Sequence, residues 1–200
     1  MKKLILTGLS LFLFVITAQN SWAYKVGDLV KDFKLKNVDE KMVSLSDYNG
    51  DKGVIVVFTC NHCPYAKLYE QRIIELHEKY APMGYPVVAI NPNDPKKVPD
   101  DSFENMQMRS EEKQYPFVYL FDETQKTAKD FEASRTPHVF ILEKKQTQFR
   151  VSYIGAIDDS PQSADSAKKF YVQNALTEMD KGESVEVSET KAIGCTIKWK

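Results

Sequence analysis

The sequence is short of the residues that define several protein classes. Three cysteines in 200 residues are too few for a disulfide-dense secreted scaffold, and an odd number leaves at least one without a partner inside the chain. Eight glycines and nine prolines exclude a collagen-like or low-complexity chain. A surplus of one charge is missing too. With 27 basic and 28 acidic side chains the formal net charge is −1, which excludes a nucleic-acid binder held by its electrostatic field. A hydrophobic share of 42% is too high for a disordered chain. Uncharged apolar sequence is concentrated in one place, the run from Leu4 to Ala18.

That run follows Met1-Lys2-Lys3 and precedes Gln19-Asn20 and Ser21-Trp22-Ala23. Basic start, apolar centre and small residues at a cleavage site make the three-part pattern of a secretory signal peptide. Residues 1–23 are therefore expected to be removed, leaving 24–200 as one exported domain in a compartment such as the bacterial periplasm. Association with a membrane would require the segment to stay uncleaved. No cysteine lies near the cleavage site to take a lipid. A domain of this size builds a core without disulfides, so Cys60, Cys63 and Cys195 are expected to be chemical rather than structural.

Val54 to Phe58 is a β-branched run bounded by turn residues, the mark of a strand buried on both faces. Pro64 to Tyr80 carries Leu68, Ile73, Leu76 and Tyr80 near helical spacing, with proline tolerated in the first turn. Strands are expected at Val43–Leu45, Tyr85–Ile90, Phe117–Phe121, Val139–Leu142 and Val151–Ile154, the last two as a hairpin. Helices are expected from Ser102, as N-cap, to Lys113, over 123–134 and over 164–181, with a polar tail at 182–200. Strand–helix alternation of this kind implies an α/β fold with a sheet flanked by helices.

Cys60-Asn61-His62-Cys63 stands where the buried strand meets the helix. A helix N-terminus stabilises a thiolate through its unpaired N–H groups, and two cysteines at this spacing can exchange a disulfide. Cys60 is the expected nucleophile and Cys63 the resolving thiol. His62 adds a group that can be cationic near neutral pH and so help to lower the Cys60 pKa. No cofactor or metal is required. Cys195, in the apolar island Ile193–Trp199, is first expected to pack as a small hydrophobe. The alternative is a third redox thiol that reaches Cys60 or Cys63 or pairs with another chain. His77 is expected to be exposed or capping, and His138 faces either the sulfurs or the surface. Asp94, Asp100, Asp101 and the Asp158-Asp159 pair are expected in solvated turns without metal-ligand spacing.

Cys60-Asn61-His62-Cys63-Pro64-Tyr65, Thr136-Pro137 and the ending Gly194-Cys195-Thr196-Ile197-Lys198-Trp199 resemble the thioredoxin superfamily. The likeness is to its redoxin branch, which includes alkyl hydroperoxide reductase/thiol-specific antioxidant proteins of peroxiredoxin type. The resemblance implies a thioredoxin-like central mixed sheet and makes Pro137 the cis-proline beside the CxxC. Thr136 would then offer its backbone to a partner's extended chain. It also implies an exported thiol–disulfide oxidoreductase acting on protein or small-molecule thiols and disulfides, with a redox partner protein. Three departures stand out. Thr59 replaces the tryptophan that precedes the first cysteine in thioredoxins, and Val54–Phe58 offers no buried acid. Val56 and Cys60 occupy the positions where the peroxidase pattern needs Pro and Thr, which disfavours a thiol peroxidase, and Arg135 stands as the candidate for its arginine. A copper-binding metallochaperone using Cys60, Cys63 and His62 or His138 is the remaining alternative.

Overall fold

The computed structural model describes residues 23–200, so the expected signal segment lies outside the described residues except for Ala23. Ten strands and four α-helices follow in chain order. They are β1 Leu29–Val30, β2 Lys34–Asn37, β3 Met42–Ser44, β4 Gly53–Phe58, α1 Pro64–Tyr80, β5 Val87–Asn91, α2 Phe103–Glu112 and β6 Val118–Phe121. After these come α3 Lys126–Asp130, β7 Arg135–Thr136, β8 His138–Lys145, β9 Gln148–Gly155, α4 Tyr171–Asp180 and β10 Cys195–Thr196. Eight strands form one sheet in the order β1-β9-β8-β4-β5-β6-β2-β3, and β10 pairs with β7 alone. The centre, β4-β5-β6, is parallel, while β8 runs antiparallel to β4. The sheet is therefore mixed, and β8–β9 is the expected hairpin.

Every residue of β4 is buried, which explains its unbroken apolar sequence. Ile55 and Val57 face one layer with Ile73 and Leu76 of α1, Met106 of α2, and Val172 and Ala175 of α4. Val54, Val56 and Phe58 face the other, with Ala128 of α3, Phe131, Phe140 and the tail residue Ile197. Gly53 opens the strand where a Cβ would lie 2.4 Å from the Leu142 carbonyl oxygen, so only glycine fits.

Several boundaries differ from expectation for local reasons. The segment before α3 does not join the helix because Gln125 adopts a left-handed conformation, and Glu132 does the same beyond its end. Helix α4 begins at Tyr171 rather than at 164. The Asp159 carboxylate accepts from the Lys168 and Lys169 N–H groups (2.8 and 3.0 Å) and holds that backbone in a turn. In α1 the expected core position Leu68 is exposed, and the inward face runs through Ala66, Tyr69, Arg72, Ile73, Leu76 and Tyr80. Arg72 is tolerated inside because Nη1 donates to Asp158 Oδ2 at 2.6 Å and to the Ser160 carbonyl at 2.8 Å. Asp158 is thus 2% exposed, not in the solvated turn expected of it. Ser102 caps α2 as expected, accepting from the Asn105 N–H at 3.3 Å. Among the described residues, no helix is long and apolar enough to cross a membrane.

Candidate functional site

Strand β4 ends at Phe58 and α1 begins at Pro64, with Cys63 as its N-cap. The intervening turn carries Cys60, Asn61 and His62, and the β7–β8 junction lies across from it. Thr136 links the sulfurs. The Cys60 thiol donates to Thr136 Oγ1 at 3.2 Å, and Cys63 Sγ lies 3.2 Å from the Thr136 carbonyl oxygen. The Thr136–Pro137 peptide is cis. The expected site residues Cys60, His62, Cys63, Thr136 and Pro137 are therefore brought together.

The disulfide is not where the sequence placed it. Cys63 is joined to Cys195, across a separation of 132 residues and a Cα–Cα distance of 6.0 Å. Cys60 is the free cysteine and is buried. The expected Cys60–Cys63 bond is thus open in this state, and Cys195 is a disulfide partner rather than a packed hydrophobe. A disulfide sulfur carries no proton, so the approach of Cys63 to the Thr136 carbonyl is a contact, not a hydrogen bond. The cause of the pairing is strand β10, which lies antiparallel to β7 with Cys195 opposite Thr136 and Thr196 opposite Arg135.

A buried carboxylate reaches the same turn from outside β4. Asp101 is fully buried, contrary to its expected place in a solvated turn, and Asp94 is buried likewise at 5% exposure. Asp101 Oδ1 accepts from the Asn61 N–H at 2.7 Å and the His62 N–H at 3.3 Å. Oδ2 accepts from Asn93 Nδ2 at 2.8 Å and lies 2.6 Å from His62 Nδ1. The Tyr119 hydroxyl donates to Asn61 Oδ1 at 2.9 Å. A carboxylate acceptor at 2.6 Å fixes the His62 proton on Nδ1. His62 Nδ1 is also 3.5 Å from Cys60 Sγ, but with its proton committed to Asp101 that nitrogen cannot accept one from Cys60.

Electrostatics run against the expected activation of Cys60. Burial first, and the Asp101 charge second, push its thiol up to about 11, against the lowering pull of Thr136 and of the Cys63 and His62 N–H groups. The thiol is masked in this state. His138 does not join the sulfurs. Its Nδ1 accepts from the Ser134 N–H at 3.4 Å, its ring packs on Phe140, and burial lowers its pKa to about 4. His77 is half-buried and accepts from the Val87 N–H at 3.2 Å. Arg135, the candidate for a peroxidase arginine, donates instead to the Gly194 carbonyl at 3.2 Å.

Cys60, His62 and Asp101 have ligand atoms within 4.8 Å of one another. A metal there would take His62 Nδ1 and Asp101 from the hydrogen bond that now joins them. Sequence reasoning missed Asp101, Asn93 and Tyr119. The one local hint was Ser102, which places the residue before it at the buried start of a helix.

A family model described as AhpC/TSA matches residues 26–155. The chain belongs to the AhpC/TSA family. Among curated relatives of this AhpC/TSA protein, the thiol-disulfide oxidoreductase ResA of Oceanobacillus iheyensis is 36% identical over 72 residues. That match spans 34% of this chain and 37% of the relative, little more than a third of its length. An uncharacterized conserved protein from Geobacillus kaustophilus is 37% identical, with a TM-score of 0.82 over 88% of this chain and 93% of that one. The exposed lipoprotein thioredoxin of Streptococcus pneumoniae shares the fold, with a TM-score of 0.56 at 17% identity over 76% of this chain and 99% of its own. The fold is thioredoxin-like, as the motifs implied.

Proposed function

We propose that this AhpC/TSA protein is an exported thiol–disulfide oxidoreductase whose Cys60 and Cys63 exchange a disulfide with protein or small-molecule thiols. Residues 24–200 form its single domain once the signal segment is removed. The observation that carries the reading is the shared seat of the two sulfurs: both lie 3.2 Å from Thr136 at the start of α1. A substrate disulfide approaches in extended conformation and pairs with the Thr136 backbone. Once a partner dithiol has reduced the Cys63–Cys195 bond and itself become a disulfide, Cys60, as thiolate, attacks one substrate sulfur, forms a mixed disulfide and releases the other substrate sulfur as thiolate. Cys63 then attacks Cys60 Sγ, closes the Cys60–Cys63 bond and frees the second substrate thiol. Two electrons pass from the dithiol to the substrate, and the reverse sequence oxidises a substrate dithiol. Asp101 holds the turn and His62 in place.

A peroxidase is disfavoured because Val56 and Cys60 stand where the peroxidase pattern carries its proline and threonine, and Arg135 is turned to the Gly194 carbonyl. Copper binding through the CxxC loses Cys63 while it is bonded to Cys195.

The test uses Cys195→Ser, which leaves only Cys60 and Cys63. This variant is expected to interconvert dithiol and disulfide in one two-electron step in glutathione buffers and to exchange with a disulfide-bonded peptide. Combining it with Cys63→Ser is expected to trap the peptide on Cys60. Failure to exchange, or trapping only on Cys63 in the Cys60→Ser counterpart, overturns the assignment.

A further inference from the structure

The backbone edge that a partner would need is already taken by this chain's own tail. Strand β10 lies on β7, with Cys195 opposite Thr136, the geometry expected of an added substrate strand. Gly194 permits the approach, because a Cβ there would stand 2.2 Å from the Thr136 carbonyl oxygen. Arg135 donates to the Gly194 carbonyl at 3.2 Å.

Past Cys195 the tail is firmly seated. Ile197 is buried in the core layer of Phe58 and Phe131. The Lys198 N–H donates to Asn93 Oδ1 at 2.8 Å, and its carbonyl accepts from the Asp94 N–H and from Gln125 Nε2, each at 2.9 Å. The Lys200 N–H donates to Gln125 Oε1 at 2.8 Å. Before Cys195 the chain is fixed again, the Thr190 hydroxyl sitting 2.6 Å from the Tyr153 hydroxyl. With the tail docked, Cys60 is 6% exposed and Cys63 fully buried, while Cys195 is only half-buried. The tail therefore carries a sulfur into the site, bonds it to the inner cysteine, and packs it against the cluster of Cys60, Cys63 and Ala66.

We propose that Cys195 is a third redox thiol, carried on a strap that docks as an internal substrate and shares one disulfide with the Cys60–Cys63 pair. The proposal rests on the oxidoreductase reading and names the first partner of that site. Cys60 gives up its proton to solvent and attacks Cys63 Sγ. The Cys60–Cys63 bond forms as the Cys63–Cys195 bond breaks, and the electron pair leaves on Cys195, which takes a proton from solvent. One disulfide and one thiol stand on each side, so no external oxidant or reductant is consumed. Freed of its covalent link, β10 can leave Thr136 and yield that edge to an outside chain. The groups facing Cys60 come from separate elements: His62 from its own turn, Cys63 from the N-cap of α1, Asp101 from the turn before α2, Thr136 from β7, and Tyr119 of β6 through Asn61.

Wild-type protein is equilibrated in glutathione buffers, quenched with acid, alkylated and digested without reduction, and its linked peptides are quantified by mass spectrometry. Both Cys63–Cys195 and Cys60–Cys63 peptides are expected. Their ratio should stay constant while the glutathione ratio is varied about a hundredfold, since the step between them is redox-neutral. Cys60→Ser should hold only Cys63–Cys195. Gly194→Val, whose side chain cannot dock against Thr136, should shift the ratio toward Cys60–Cys63 by about tenfold with an unchanged circular dichroism spectrum. Only Cys60–Cys63 linkage at every poise, with Cys195 always alkylated, overturns the proposal. Only Cys63–Cys195 linkage, with Cys60 always alkylated, also overturns it by making that bond a static staple. Neither result touches exchange by Cys195→Ser, on which the oxidoreductase reading stands separately.

Discussion

Raising the pH should move the disulfide from Cys63–Cys195 to Cys60–Cys63. The two isomers differ in which thiol is left free. In the first it is Cys60, which burial and then Asp101 push up to about 11. In the second it is Cys195, which sits on the half-buried tail, away from the enclosed seat of Cys60 beside Asp101. Where both free thiols are protonated the ratio is flat. Below about 11 the Cys60 thiol keeps its proton, so wherever the free thiol of the other isomer ionises first, the Cys60–Cys63 isomer gains by up to about tenfold per pH unit. The sign follows from the raised pKa: a thiol whose charged form is disfavoured stabilises its isomer at low pH and ceases to do so as pH rises. The assay is acid quenching at each pH from 7 to 10.5, followed by peptide mapping. A ratio that stays flat or falls across that range refutes the reasoning. Asp101→Asn sharpens it, since removing the carboxylate's charge lowers the Cys60 pKa and should end the rise at a lower pH.

Three further outcomes follow from other buried groups. His138 is lowered to about 4 by burial, so its neutral form stabilises the fold above about 6.5 and that contribution is lost as pH falls toward 4, by about 3 kcal/mol in all. Urea midpoints measured over pH 4–7 should show this slope, and His138→Gln, which keeps an acceptor for the Ser134 N–H, should flatten it. Arg72→Met strands the Asp158 carboxylate in the core and should cost about 3–5 kcal/mol by chemical denaturation; a loss under 1 kcal/mol would show that water reaches Asp158. Asp101→Ala leaves the Asn61 and His62 N–H groups without their acceptor and should cost about 2–4 kcal/mol, whereas Asp101→Asn should recover at least half of that loss.

The strand–CxxC–helix junction was legible because its signals are local. An unbroken β-branched run, a turn and Pro64 lie within a dozen positions, and burial of β4 on both faces follows from its pattern. The fates of the aspartates were not legible. Asp101 and Asp94 share one polar loop with Asp100, and local sequence does not distinguish a buried carboxylate from a solvated one. What buries Asp101 is a set of donors on Asn61, His62 and Asn93; what buries Asp158 is Arg72, 86 positions away. Cysteine connectivity has the same character. Cys63 and Cys195 meet because β10 finds β7, and no spacing rule encodes that encounter. The likeness of the ending Gly194–Trp199 to redoxin-like sequences marked the tail as part of the domain, but not as a partner of the site.

Thr190 and Ile197, each held by the fold, bracket the Cys195 segment, so breaking the Cys63–Cys195 bond does not release a loose end. Residues 191–196 remain a short closed loop, and the Cys195 thiol stays within reach of Cys63 at a local concentration on the order of millimolar. A small thiol competing for Cys63 must therefore reach a comparable concentration to hold the site open, and dilute monothiols will lose it to the tail. A protein partner that grips the vacated Thr136 edge escapes that competition by occupying the loop's own seat.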